Sequence, residues 1–470
     1  MRGILSYGAY IPYGRLDRKD VATLFGGAPG RGERSVASFD EDTTTMGFEA
    51  SRLALRSVPG ASPDSLWFAT AEPAYAEKTN ATAIHAALRF DSAVAVMDMN
   101  GAVRSGIGAL RVASRGVGQV LVAFAGMRSG LPTSADEAEG GDGGAAVLMG
   151  SDTDGSVIAE YLGGASETEE FVDRWRNPGS PRTQRWEERF GETVYVPMAE
   201  RAWNAALKEC GLNPGQVDVA VVTGNHSRAV RAVAGRLGAG SVADTLGATV
   251  GNTGAAHFAV ELADVLDRAE PDTTIAVMVM ADGVDVLLFR TTSAIAPFSP
   301  AAPVADQIAH KATVPYGKFL RWRNMVDVEP PNRPTPNRPS SAAAARSTDW
   351  KFGFVGSRDR NTGIVHLPPQ RVGIYGGTTD DMEQVPESET QATVATFTVD
   401  RLIYSESPPV IFAVLDFDGG GRFPCQLTDC TVGDIEVGTR VEMTLRRLFT
   451  ADGIHNYFWK ARPTHAKEAL

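Results

Sequence analysis

Short apolar runs bounded by Gly, Pro or Asp recur along the first 295 residues, separated by longer stretches whose apolar residues return every three or four positions. The first kind predicts buried strands and the second predicts helices. PDSLWFATAEP (63–73) and GQVDVAVVTGN (215–225) each place a short apolar strand after a Pro or Gly turn. Each follows a helical stretch, at 43–57 and 198–210. Further strands are predicted at 119–125, 144–150 and 274–281, with 284–290 as the closing arm of a hairpin. Val94–Met97 reads as a strand running into an Asp-Met-Asn-Gly turn and then an Ala/Gly-rich helix. Apolar strands alternating with helices predict an α/β fold whose mostly parallel sheets are covered on both faces.

The pattern breaks near Thr292. SAIAPFSPAAPVADQ is a Pro/Ala-rich connector, followed by a basic helical piece from Tyr316 to Arg323. DVEPPNRPTPNRPSSAAAARSTD (327–349) contains Pro-Asn-Arg-Pro twice and predicts an extended linker, since proline removes donors and favours polyproline II. From Trp350 short strands take over, at 393–405, 409–420 and 438–450, with the glycine turns of a small β-barrel. These breaks predict a first domain over 1–293, a helical and Pro-rich linker over 294–349, and a last domain over 350–470.

Composition narrows the function. A net charge of −12 argues against general nucleic-acid binding. No apolar run is long enough for a transmembrane helix, and MRGILSYGAYIP lacks the separate regions of a signal peptide. The three cysteines, Cys210, Cys425 and Cys430, make neither a disulfide framework nor a metal-site spacing, as expected in a reducing cytoplasm.

Five motifs carry a resemblance over about residues 1–293: YGAYIP (7–12), DEDTTTMGFEA (40–50), AVMDMNGAVRSGIGALR (95–111), GDGGAAVLMG (141–150) and GNTGAAH (251–257). Together they resemble the thiolase superfamily, in the branch of archaeal-type hydroxymethylglutaryl-CoA synthases and ketoacyl synthase III. The resemblance implies a duplicated thiolase-like fold, layered α/β/α/β/α. It also implies a nucleophilic cysteine at a helix start, where N–H groups and dipole favour a thiolate. In register with D-x-x-x-x-C-K-x-G-x-x-A-L, Asp98, Gly106 and Leu110 match, and the cysteine position is Val103.

The family's histidine falls at Thr223, with His226 three residues on. Its glutamate falls at Ala71, and strand alternation would point the neighbouring Glu72 the other way. Asn252 is kept in the GNT motif, and Tyr75 and Tyr195 lie in segments that approach the family's site. The candidate catalytic set is therefore Asn252, His226, Tyr195 and Tyr75, with Val103, Arg104, Thr223 and Asp98 as oxyanion or pocket residues. Each has a plainer alternative: a helix cap for Asn252 or His226, simple packing for the tyrosines.

The tail resembles the OB-fold family that accompanies thiolase-like enzymes of acyl-CoA metabolism, through IVHLPPQRV (364–372) and VGDIEVGTRVEM (432–443). That family's zinc-ribbon cysteines fall at Asp359, Thr362, Gly373 and Gly376, so no zinc is expected. A metal-free hairpin is expected instead, held by Pro368-Pro369 and by aromatic neighbours Tyr375 and Phe352, with His366 packing or hydrogen bonding.

Three functions remain open. The first is carbon–carbon cleavage or formation on an acyl-CoA, retro-aldol in type, without a cysteine nucleophile. The proton would be moved by His226 or Tyr195, and the enolate oxygen held by Asn252 with the Val103 and Arg104 N–H groups. The second is a silent acyl-CoA-binding or scaffold subunit partnering an active thiolase. The third is a hydroxymethylglutaryl-CoA synthase-like acyltransferase, disfavoured because Cys210 ends a helix far from any nucleophile turn. Coenzyme A would arrive on the substrate, with no separate cofactor. The expected assembly is a homodimer through 92–98 or a heterodimer with a thiolase-like subunit, without nucleic-acid or membrane partners.

Overall fold

A computed structural model describes residues 1–180 and 182–464, so 465–470 of the expected last domain lie outside it. The chain forms two units. The first comprises Met1–Ser38, Asp42–Thr82 and Asp91–Val326, and the second comprises Phe39–Glu41, Ala83–Phe90 and the chain from Asp327.

Ten strands build the main sheet of the first unit: β1 (Arg2–Tyr10), β2 (Ser65–Thr70), β3 (Ala95–Asn100), β4 (Val120–Met127), β5 (Asp142–Ser151), β6 (Ala159–Glu167), β7 (Val219–Gly224), β8 (Ser241–Val242), β9 (Thr274–Met280) and β10 (Val284–Thr291). They pair in the order β8-β7-β9-β10-β6-β1-β5-β4-β2-β3. Outward from the β6–β1 junction, each half repeats one order: its first strand, fifth, fourth, second and third. The unit is thus two copies of one motif, β1–β5 and β6–β10. Helices repeat as well. α1 (Thr43–Arg56) and α3 (Glu188–Cys210) follow the first strands, and α2 (Arg104–Arg115) and α5 (His257–Leu266) follow the third. The shorter α4 (Ser227–Ala234) follows β7.

α2 and α5 lie between the halves. Ile107, Leu110, Phe258 and Leu262 pack there in one core with Val122 and Phe124 of β4 and Val277 and Leu287 of β9 and β10. α3 and α4 cover the far face of the second copy, where Tyr195 and Trp203 meet Val222, Met278 and Val286. α1 covers the first copy against β1, β4 and β5. The layers are α/β/α/β/α. Each fully buried Leu, Val or Phe stabilises this stack by about 1.5–3 kcal/mol, so the apolar runs of the sequence dictate its core.

Two local differences from the sequence reading follow from pairing and packing. Asp98–Asn100 continue strand β3, with Asp98 opposite Phe68 and Asn100 opposite Thr70, and the turn begins only at Gly101. β3 is the edge strand and half-exposed, so polar residues fit its ladder. Residues 294–326 pack within the first unit rather than linking. Val314, Tyr316, Phe319 and Leu320 bury against Leu16 and Val36. Beside them Asp142 accepts from Arg34 at 3.2 Å, from the Ala37 N–H at 2.8 Å and from Arg323.

The second unit is an antiparallel barrel of β11 (Ala392–Asp400), β12 (Val410–Phe417), β13 (Arg422–Gln426), β14 (Arg440–Ala451) and β15 (Ile454–Pro463), in the order β13-β12-β11-β14-β15. A bridge from Leu427 to Ala461 closes it. Val394, Ala413, Leu415, Met443, Leu445 and Trp459 fill its interior. Trp350 seals one end against Phe354, Phe423 and Phe458, with centroids 5.0–5.4 Å apart.

Ahead of the barrel, strands at Val355–Asp359, Val365–His366 and Met382–Pro386 form the expected hairpin. Its ends meet through Asp359, whose carboxylate accepts from the Asn361 and Thr362 N–H groups and the Thr378 hydroxyl, at 2.9–3.2 Å. Gly373 adjoins it, donating its N–H to the Thr378 carbonyl at 3.0 Å. A Cβ at Gly373 would stand 2.3 Å from the Asp359 carboxylate, so this group fills the space between the cysteine positions. These residues offer no thiolate and do not fit a zinc ion. Tyr375 does not hold the hairpin, being 81% exposed, whereas Phe352 packs on Tyr457. The His366 Nε2 is buried without a hydrogen-bond partner. Among the described residues no helix is long and apolar enough to cross a membrane.

Candidate active site

β3, β2 and β4 are adjacent and parallel, so their carboxyl ends open on one side of the sheet. Ligands of α/β sheets bind outside such ends, where chain reversals leave side chains and helix N-termini unpaired. The chain leaves β3 through Gly101, at φ +105°, and enters α2 at Val103. It leaves β2 at Ala71 and Glu72, and β4 at Arg128. A fourth strand end, Thr223–Asn225 of β7, comes from the second copy.

The Asn252–Ala256 turn joins the two copies at this point, and glycines allow its approach. A Cβ on Gly126 would stand 1.9 Å from the Thr253 carbonyl oxygen, and one on Gly106 of α2 would stand 2.2 Å from that of Ala255. Asn252 is fixed at both ends of its amide. Nδ2 donates to the Gly224 carbonyl at 2.9 Å, and Oδ1 accepts from the Gly254 N–H at 2.9 Å. Val103 lies across from Gly254, in the core between the halves. No group that can attack a thioester stands at that position.

Arg128 occupies the middle of the cluster and is buried. Its guanidinium donates to Asp136 at 3.0 Å, with longer contacts to the Asn252 and Asn225 Oδ1 atoms at 3.4 and 3.5 Å. Asp136 also accepts from Arg174 at 2.5 Å. Burial alone would raise the Asp136 pKa, but Arg174 and Arg128 together hold it below the ordinary carboxylate value.

Glu72 differs. β2 ends at Thr70, whose hydroxyl accepts from the Glu72 N–H at 3.0 Å and bends the chain out of strand alternation. The carboxylate therefore joins this cluster instead of pointing away. Arg176 binds the Ala71 carbonyl at 2.9 Å and comes within 3.9 Å of the Glu72 carboxylate. The Glu72 Oε2 is buried without a hydrogen-bond partner. Desolvation raises the Glu72 pKa, outweighing the opposing pull of Arg128, Arg176 and Arg174 and of a hydrogen bond from the Met127 backbone. Arg128 and Arg174 thus hold Asp136 ionised, while burial favours the protonated form of Glu72.

Of the residues expected from the sequence, Asn252, the Val103–Arg104 helix start and Thr223 meet here. Thr223 is a buried wall residue of β7, next to the Gly224 carbonyl that holds Asn252. The others make different contacts. His226 caps α4, its Nδ1 accepting from the Ala229 N–H at 3.1 Å, while the ring faces Asp173 across Gly191. Tyr195 packs on Phe171 and His226, and its hydroxyl accepts from the Asp282 N–H at 3.1 Å. Tyr75 belongs to a loop tied by Asn80, whose amide accepts from the Tyr75 N–H and donates to its carbonyl. Asp98 anchors that same loop, accepting from the Asn80 and Ala81 N–H groups at 2.7 and 2.9 Å. The Arg104 side chain reaches away to Asp285, Ser166 and the Asp282 carbonyl.

Comparisons with known proteins agree with this architecture. The chain is 28% identical over 349 residues to a hydroxymethylglutaryl-CoA synthase of Methanopyrus kandleri, spanning 69% of this chain and 97% of that protein. It is 29% identical over 347 residues to that of Pyrobaculum aerophilum, spanning 69% and 98%. Among solved structures, an HMG-CoA synthase complexed with CoA superposes with a TM-score of 0.59 at 15% identity, covering 68% of this chain and 89% of that one. A 3-oxoacyl-[acyl-carrier-protein] synthase III from Aquifex aeolicus gives 0.54 at 21% identity, covering 62% and 100%. The first unit has the thiolase-like fold that its motifs implied. Residues 385–446 match the family model described as ChsH2, C-terminal OB-fold domain.

Proposed function

We propose that this chain, a thiolase-fold protein resembling archaeal-type hydroxymethylglutaryl-CoA synthases and carrying a C-terminal OB-fold domain, acts on acyl-CoA thioesters without a cysteine nucleophile, cleaving or forming a carbon–carbon bond. The acyl-CoA class rests on its relatives' names and on the neighbour complexed with CoA. One observation carries the mechanism: Glu72, with one carboxylate oxygen buried and unpartnered, stands with Arg128, while Asn252 lies beside a helix start that holds valine.

In the cleavage direction Glu72 takes the proton of a 3-hydroxyl group. The O–H electrons form a carbonyl as the C2–C3 bond breaks, and that bond's electrons become the enolate of the thioester. The Val103 and Arg104 N–H groups and Asn252 hold the enolate oxygen. The proton on Glu72 then returns to C2, so the enzyme ends as it began. No acyl-enzyme forms, and no group need replace the missing cysteine. We assign this role to Glu72 rather than to His226, which caps α4, or Tyr195, whose hydroxyl accepts from the Asp282 N–H.

A silent subunit is the second reading, and the Arg128–Asp136–Arg174 network favours it, because these guanidiniums already have a carboxylate. An acyltransferase reading is weakest: the Cys210 thiol ends α3, and burial pushes its pKa up. The deciding assay offers a panel of 3-hydroxyacyl-CoA esters, including steroid-derived ones, and follows release of aldehyde or ketone. Turnover that Glu72→Gln abolishes supports the enzyme. No turnover, alone or with a co-purified partner, leaves the silent subunit.

A further inference from the structure

We propose that one face of β14 and β15 is a recognition site for an aromatic-Asp-Glu peptide, filled here by the chain's own Phe39–Glu41. These three residues belong to the second unit, although Ser38 and Asp42 on either side belong to the first. Thr444 pairs with Lys460 and Arg446 with Phe458, so Arg446 and Lys460 are near neighbours on one face of the barrel.

Lys460 donates to the Asp40 carboxylate at 2.7 Å, and its ammonium lies 5.1 Å from the Phe39 ring centroid. Arg446 pairs with Glu41 at 2.7 Å and also with Asp429. Arg447 reads the main chain: its N–H donates to the Asp40 carbonyl at 2.8 Å and its guanidinium to the Phe39 carbonyl at 3.3 Å. A bulge follows Arg447 in β14, and bulges turn a strand's groups outward from its ladder.

Each feature of the tripeptide has its own reader. The ring meets a cation, the short carboxylate meets Lys460, the longer one meets Arg446, and two successive carbonyls meet Arg447. Asp40, Glu41 and Arg446 are at most 2% exposed, and Lys460 is 5% exposed. Charges so deeply buried are tolerated only when paired, so removing the acidic peptide takes the Asp40 carboxylate from Lys460 and leaves Arg446 to Asp429. The face therefore demands an acidic occupant. These contacts fall on three consecutive residues, so a separate peptide of that sequence offers the face the same groups.

The test uses the full chain and a fluorescent peptide, Val-Ala-Ser-Phe-Asp-Glu-Asp-Thr-Thr, copied from residues 36–44. In the unsubstituted chain the tethered copy competes at an effective concentration of about a millimolar. A D40N/E41Q chain releases that competition, and the peptide should bind it roughly a hundredfold more tightly, the lower end of the gain from tethering. Adding Lys460→Gln should abolish the gain, and a peptide carrying Asn and Gln in place of Asp and Glu should not bind. Equal peptide affinity for the D40N/E41Q and unsubstituted chains, with circular dichroism showing both folded, overturns the proposal. Should D40N/E41Q fail to fold, Glu41→Gln alone keeps the Asp40–Lys460 pair and carries the same comparison, and equal affinities there overturn the proposal as well.

Discussion

Replacing Glu72 by glutamine should separate catalysis from stability and move them in opposite directions. The substitution keeps the shape of the side chain and removes its capacity to accept a proton as a base. General bases contribute about 10²–10⁴-fold, so turnover of a 3-hydroxyacyl-CoA should fall by that factor. Asp136 cannot take over, because Arg174 and Arg128 keep it an ionised anchor below the ordinary carboxylate pKa. Stability should rise at neutral pH. Burial lifts the Glu72 pKa above its value in the unfolded chain, so the folded state binds its proton more tightly. The group's contribution is then fully present below the ordinary Glu value, about 4.3, and is lost as pH rises through the raised folded value. Each unit of that lift costs the wild-type chain about 1.4 kcal/mol above the folded pKa, a cost that glutamine does not carry. Melting curves of both chains between pH 4 and 8 should show the glutamine variant gaining on the wild type as pH increases. The base also predicts a rate that falls as pH drops through the raised pKa. A glutamine chain with unchanged turnover would refute the catalytic role. A glutamine chain less stable at pH 8 would show that attraction to Arg128, Arg174 and Arg176 outweighs desolvation.

Asn252→Ala should lower turnover roughly 10²-fold, the scale for losing an oxyanion donor, with CoA-ester affinity largely kept; a loss of affinity alone would count against an oxyanion role. Asp142→Asn should lower the first unit's melting transition, since breaking a buried pair costs about 3–5 kcal/mol and both Arg34 and Arg323 depend on this carboxylate; an unchanged transition would contradict that dependence. The chain should sediment as a dimer through the exposed edge of β3, and Met97→Lys, at a side chain 44% exposed on that edge, should shift it toward monomer. A monomeric wild type at micromolar concentration would rule the interface out. Elemental analysis should find well under one zinc per chain, because the Asp359 carboxylate and Gly373 stand where thiolates would be needed; stoichiometric zinc would contradict this.

The fold was legible because its signals are local and redundant. Apolar strands such as Leu121–Ala125 and Ala220–Val222 are buried by both neighbouring layers, so no polar alternation disguises them. The site was less legible, because its key contacts depend on where strands stop. Alternation turns Glu72 away unless the turn shifts, and the Glu72 N–H bond to the Thr70 hydroxyl marks such a turn. His226 drew attention as a histidine, yet its neighbour Asn225 is the residue that reaches Arg128. Asp98 matched a family pattern and anchors a loop. Arg128 carried no local signal at all: an arginine after the apolar strand Val120–Met127 reads as a surface charge until Asp136 and Arg174 are brought to it. Tyr316, Phe319 and Leu320 were hidden among prolines, and only their burial with Leu16 and Val36 shows that 294–326 is structural.

Under the proposed function the valine at position 103 and the threonine at position 223 are explained together. A thiolate needs a partner to move its proton, and the partner histidine has little use without the thiolate. Retro-aldol chemistry needs neither; it needs a base near the substrate hydroxyl and donors near the thioester oxygen. Simple decay of the site would give no reason to keep a buried carboxyl oxygen without a partner, since leaving such a group unsatisfied costs about 1–3 kcal/mol. A neutral or apolar residue at position 72 would remove that cost. The Glu72 Oε2 is nevertheless unpartnered, and Arg128 meets Asn225 and Asn252 only through long contacts. The Glu72 oxygen has bonding capacity that the folded chain leaves unused. A bound 3-hydroxyacyl thioester can supply the missing partners, its hydroxyl to Glu72 and its acyl oxygen to the donors around Asn252. That unused capacity is what favours an altered chemistry over a silent subunit.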